Sequence, residues 1–163
     1  MAKRKTVPAR PERRSARSSA AAKGIPARRY IESSALVAAV LEGDAAARAS
    51  IRADGQRITS ALTIAEASRA VLRARLSGRI SAPQQRAALL TLRSFARRCH
   101  IVSVTEAILT HAARPFPVEP VRTLDAIHLA TLQELGEPPA LVTVVTRDVR
   151  VRDNATALGH PVE

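Results

Sequence analysis

Residues 123–159, TLDAIHLATLQELGEPPALVTVVTRDVRVRDNATALG, decide the fold, because they read helix, strand, helix with turn residues between them. Thr123-Leu124-Asp125 opens a helix that ends near Leu135-Gly136. Leu141-Val142-Thr143-Val144-Val145 is continuous, largely β-branched and bounded by turn residues, which predicts a strand. Asp148 to Leu158 predicts a last helix, and Gly159 turns the chain toward a short final strand at Pro161-Val162.

The same alternation runs back to Tyr30. Arg29-Tyr30-Ile31 is a short strand candidate, followed by a helix through Leu36, Val37, Val40 and Leu41 that Gly43 stops. Asp44 can cap a second helix to about Asp54, ended by Gly55. Arg57 to Ser60 is a second strand, and Thr63-Ile64-Ala65-Glu66 opens a helix to Ser77. Pro83 suits the first turn of a helix to about Arg98. Ile101 to Val104 is a third strand and Thr105 to Ala113 a helix, with Pro115, Pro117 and Pro120 in an irregular loop after it. Strands separated by helices imply βαβ units, a parallel sheet and the α/β class.

Composition narrows the function. Of 163 residues, 46% are hydrophobic but only 2% aromatic, so Ala, Leu, Val and Ile must build the core. That palette argues against a reader that stacks successive bases on exposed rings. Residues 1–29 hold ten lysines and arginines against one acid, Glu12, whereas residues 30–163 hold 16 arginines against 13 acids. Such a proline- and serine-containing segment cannot bury enough surface to order itself, which predicts a disordered basic arm over 1–29 and one domain over 30–163. The arm either adds nonspecific affinity for nucleic acid or precedes the true start of translation.

All three lysines, Lys3, Lys5 and Lys23, lie in that segment, which removes lysine-based chemistry from the body. The six glycines are too dispersed for a phosphate-cradling loop. A lone Cys99 fits a reducing compartment, no apolar run approaches the roughly 18–20 residues of a membrane span, and no apolar h-region follows the basic start. A cytoplasmic location without membrane attachment is therefore expected.

Four acids fall at expected strand ends or first helical turns: Glu32, Glu66, Asp125 and Asp148. Crevices outside the carboxyl ends of parallel strands are where open sheets bind ligands. Each acid has an ordinary structural reading. Thr63 and Glu66 have the spacing of a capping box, Asp125 and Asp148 suit helix starts, and Glu32 could be an exposed acid. Together they imply a cation, since two unit charges about 5 Å apart repel by roughly 3 kcal/mol at an effective dielectric near 20. Oxygen-only ligands favour Mg2+ or Mn2+. His128, three residues after Asp125, could share one metal shell but reads first as a satisfied, half-buried group. Arg69 and Arg73 follow Glu66 on one helix face and could reach phosphates, or could be solvated or paired.

YIESSALVAAVLEGD, ITSALTIAEASRAVLRARLSG, RTLDAIHLAT and VVTRDVRVRDNATALGHPVE together resemble the PIN domain of the VapC type, the toxin ribonuclease of toxin–antitoxin pairs, over residues 28–163. The resemblance implies a three-layer α/β/α fold with a short-stranded, mainly parallel sheet. It implies a Mg2+- or Mn2+-dependent ribonuclease, an RNA substrate, a small antitoxin partner and a homodimer. Glu66, Asp125 and Asp148 match the family's acids, with Ser34 and Thr146 as supporting hydroxyls. Asp125 and Glu66 are then the main ligands and Asp148 a ligand or water-mediated partner. Glu32 stands where the family pattern has aspartate, and one extra methylene moves a carboxylate by roughly 1.3–1.5 Å. A chain in which that shift prevents turnover would bind RNA or an antitoxin without cleaving. A phosphoacceptor receiver is the alternative outside the family, but its adjacent acids after the first strand and its late lysine are both missing.

Overall fold

The computed structural model describes residues 27–163. The expected arm lies outside the described residues as far as residue 26. Its last two arginines do not belong to it, because the first strand already begins at Arg28.

The elements follow in the order β1 (Arg28–Ile31), α1 (Ser33–Leu41), α2 (Ala45–Arg52), β2 (Gln56–Ser60), α3 (Ala61–Leu76), α4 (Ala82–Ala96), β3 (His100–Val102), α5 (Glu106–Ala112), α6 (Thr123–Glu134), a single 3₁₀ turn (Pro139–Leu141), β4 (Val142–Val145) and α7 (Val149–Ala157). The four strands form one parallel sheet in the order β3-β2-β1-β4. After β3 the chain crosses to the other side of β1, so the strand order reverses between β1 and β4. That reversal opens a crevice at the carboxyl ends of these two strands.

Local chemistry starts and stops the helices. The Asp44 carboxylate accepts from the Ala47 amide and caps α2, while Ser81 and Gln84 form a capping box at α4, with Pro83 in its first turn. Gly43 turns the chain at φ 73°, where a side chain would be strained. A Cβ at Gly55 would collide with the carbonyl of Ala27, which accepts from the Gln56 amide as β2 begins.

The two-residue period of the strands sorts side chains between two helical layers. Tyr30, Ile58, Val142 and Val144 pack on α5, α6 and α7, whereas Ile31 and Val145 pack on α1 to α4. Ala35, Ala38 and Ala39 of α1 share the second layer with Ala67 and Val71 of α3, small residues that let the helices approach closely. Helix α6 buries every residue from Ala126 to Leu132, as expected of a helix enclosed on all sides.

Three expectations change. Helix α3 starts at Ala61 on a Ser60 cap, whose hydroxyl accepts from the Leu62 amide at 3.2 Å. Thr63 and Glu66 are therefore not a capping box: Ser60, where β2 ends, caps the helix first. Strand β3 stops at Val102 rather than Val104, because its only neighbour β2 turns into α3 after Ser60. The final strand is a single parallel bridge between Val144 and Val162, extended by the Glu163 amide onto the Val144 carbonyl at 2.9 Å. Among the described residues no helix is long and apolar enough to cross a membrane.

Leu129 on α6 is fully buried. Leu129→Ala is expected to destabilise the protein by about 3 kcal/mol through lost burial and an unfilled cavity. Urea unfolding checks this as a lower midpoint with an unchanged slope.

Candidate active site at the ends of β1 and β4

Glu32 follows β1 directly and is the N-cap of α1. Its side chain is 3% exposed rather than free in solvent. The carboxylate folds back over its own helix start. Its Oε1 accepts from the Ser33 hydroxyl at 2.5 Å, and the Ser34 amide reaches both oxygens at 3.0 Å. Its Oε2 accepts from the Ser34 hydroxyl and from Thr146 Oγ1 at 2.8 Å. The extra methylene relative to aspartate is thus absorbed in the turn.

Ser34 and Thr146 join the two strand ends. Ser34 Oγ lies 3.2 Å from Thr146 Oγ1 and accepts from the amides of Arg147 at 2.7 Å and Asp148 at 3.0 Å. Asp148 caps α7 through Oδ1, which accepts from the amides of Arg150 and Val151 at 2.8 and 3.2 Å. The positive end of α7 therefore stabilises that carboxylate. Arg147 turns aside to Asp44, with Nε 2.8 Å from Oδ2, and this hydrogen bond holds the Asp44 carboxyl below its usual range.

Glu66 lies in the second turn of α3, where its Oε2 meets His128 Nε2 at 2.8 Å. Burial raises its pKa, but the hydrogen bond and charge of His128, with Ser33 and Arg73, bring it below the ordinary range. His128 is buried, not half-buried; its Nε2 also faces Glu32 Oε1 at 3.7 Å, and its Nδ1 lies 2.9 Å from the Tyr30 hydroxyl. Burial, with Glu32 nearby, pushes the Tyr30 phenol far above its usual range, so it stays neutral.

Asp125, in the first turn of α6, is the exception among the acids. Its Oδ2 is buried and has no hydrogen-bond partner. Burial first, then the charges of Asp148 and Glu32, raise its pKa. Arg69 and Arg73 are exposed on α3; Arg73 acts electrostatically on Glu66, and no contact ties Arg69 to the acids. His128 and Tyr30 were not among the expected site residues. The three-residue spacing from Asp125 was a signal for His128; the Tyr30 contact spans 98 residues of sequence and had none.

A PIN-domain family model matches residues 29–156. The chain belongs to the PIN-domain family, of the VapC type. It is 36% identical over 137 residues to "Ribonuclease VapC35" of Mycobacterium tuberculosis, covering 82% of this chain and 93% of that protein. It is 40% identical over 135 residues to "Ribonuclease VapC46" of the same species, covering 82% and 94%. Among solved structures, FitAB bound to the IR36 DNA fragment shares the fold at a TM-score of 0.58 and 16% identity, over 83% of this chain and 93% of that one. This PIN domain also fits the divalent metal its family implies, since an orphaned carboxylate oxygen beside other acids is an uncompensated charge that a cation would neutralise.

A carboxyl whose folded pKa lies above its unfolded value subtracts stability once the pH passes the unfolded value. Asp125→Asn is therefore expected to raise the melting temperature of the metal-free protein at pH 7 by about 1–2 °C, given the solvent screening of this partly exposed group. The gain should fade below about pH 4, where aspartate is protonated in both states. Differential scanning calorimetry across that range checks the sign.

Proposed function

We propose that this PIN domain is a divalent-metal-dependent endoribonuclease that hydrolyses RNA phosphodiester bonds, the toxin of a toxin–antitoxin pair. The reading is carried by one observation: of four acids at the strand reversal, three are compensated by protein donors and Asp125 is not. The names of its ribonuclease relatives support it.

Asp125 and Glu66 would hold the metal, with Asp148 lending its second oxygen or an intervening water. A bound Mg2+ or Mn2+ supplies activation of water and neutralisation of charge on the phosphate oxygens. The chain's own residues do the positioning. Ser33, Ser34 and Thr146 fix the Glu32 carboxylate, so its charge stays at the ends of β1 and β4. His128, braced by Tyr30, fixes the Glu66 carboxylate. Arg69 and Arg73 project from α3 into solvent, where they can grip backbone phosphates.

The antitoxin reading has a surface to match. A cavity of about 380 Å³ between α1, α2 and α4 has Leu36 and Phe95 in its wall and Arg48, Arg52 and Arg98 at its rim, with no carboxylate among its lining residues. An acidic amphipathic segment of a small antitoxin suits it. The family likeness also supports a cytoplasmic homodimer, which sedentary measures of mass such as light scattering would read directly.

Cleavage of single-stranded RNA in Mg2+ or Mn2+, stopped by chelator, tests the function. Glu32→Gln is expected to lower the rate by at least about 100-fold, because an amide NH2 would face the donors that hold the carboxylate. Glu32→Asp should keep activity within about tenfold, its charge and oxygen chemistry being retained. Metal binding without cleavage by the wild type would establish the non-cleaving alternative instead. Deleting residues 1–26, which carry eight lysines and arginines, is expected to weaken RNA binding and flatten its salt dependence. Binding isotherms at several salt concentrations read that slope.

A further inference from the structure

We propose that His128 is itself a ligand of the metal, so that the site is a mixed carboxylate and imidazole centre selective for Mn2+ over Mg2+. The proposal rests on the metal-dependent reading above and extends it to the identity of the ion.

Three ligand atoms, one each from Glu32, Glu66 and His128, lie within 4.8 Å of one another. His128 Nε2 is 2.8 Å from Glu66 Oε2 and 3.7 Å from Glu32 Oε1. Two donors at right angles, each about 2.1 Å from one ion, stand about 3.0 Å apart, so these separations bracket those of neighbouring ligands in one shell. The ring is delivered by α6, and the three-residue spacing sets it on the same side of that helix as Asp125, whose Oδ2 lacks a partner.

The back of the ring is prepared as metal-bound histidines require, with the far nitrogen engaged. Nδ1 meets the neutral, buried Tyr30 hydroxyl at 2.9 Å. Thr131 and Ser60 offer hydroxyl oxygens to the phenol. Tyr30 can therefore donate to one of them and accept Nδ1–H, which leaves the Nε2 lone pair pointing at two carboxylates. A lone pair facing anionic oxygens is repulsive, and a cation between them turns that repulsion into attraction. Imidazole nitrogen favours later first-row metals, whereas Mg2+ demands oxygen.

The test is pulsed electron paramagnetic resonance of the wild-type protein loaded with Mn2+ alone. The expected result is a hyperfine coupling from a directly bound nitrogen, which 15N-histidine labelling alters and His128→Gln removes. The same substitution should lower Mn2+ affinity by at least about tenfold, with Mg2+ affinity changed far less. If His128→Gln does not fold, the His100→Gln/His111→Gln double variant decides: retention of the coupling supports His128, and its loss overturns the proposal. Bound Mn2+ without nitrogen coupling would make His128 a hydrogen-bond partner only and leave the metal reading standing. Absence of Mn2+ binding at millimolar concentrations would overturn both.

Discussion

Carboxylates gathered at one end of a parallel sheet repel one another, and the surrounding structure is organised by how each charge is met. Glu32 is met by two serine residues, a threonine hydroxyl and the start of α1. Glu66 is met by an imidazole, and Asp148 by the first amides of α7. Asp125 is met by nothing that the chain provides at its Oδ2. The difference follows from position. Glu32 and Asp148 precede helices and face free amides, whereas Asp125 lies inside the first turn of a helix whose cap, Arg122, makes no side-chain capping hydrogen bond.

Much of the fold was legible because its signals are local. The β-branched run before Thr146, the caps at Asp44 and Ser81 and the stop at Gly43 each depend on a few neighbouring residues. Where reading failed, a second local signal or a distant partner decided the outcome. Thr63 and Glu66 have capping-box spacing, but Ser60 caps the helix first. Val104 has the composition of a strand, but its neighbour has already turned away. At the site, the four acids, Ser34 and Thr146 could be picked out by spacing and likeness. The orientation of Glu32 and the Tyr30–His128–Glu66 chain could not, because they arise from packing between elements far apart in sequence.

Tyr30 shows how few aromatic residues this architecture needs. It is paired with Ile58 on one side and Val144 on the other, at the centre of the sheet, and it is fully buried. Its ring fills the layer beneath α6 while its hydroxyl sets the angle of His128. Core packing and site geometry are thereby joined in one side chain, two residues before Glu32. A smaller residue there would loosen the imidazole as well as open a cavity.

The charge distribution gives the last step. The body from residue 30 onward carries only a small positive excess, 16 arginines against 13 acids, and its site is locally negative. An anionic RNA backbone is repelled by uncompensated carboxylates, yet exposed arginines on α3 stand beside them. A divalent cation reverses the local sign at the point where phosphate must approach, while Arg69 and Arg73 remain free to hold the flanking backbone. The acids thus make the site unfavourable to RNA until a cation is present, so binding of the metal and productive approach of the phosphate are coupled by electrostatics alone.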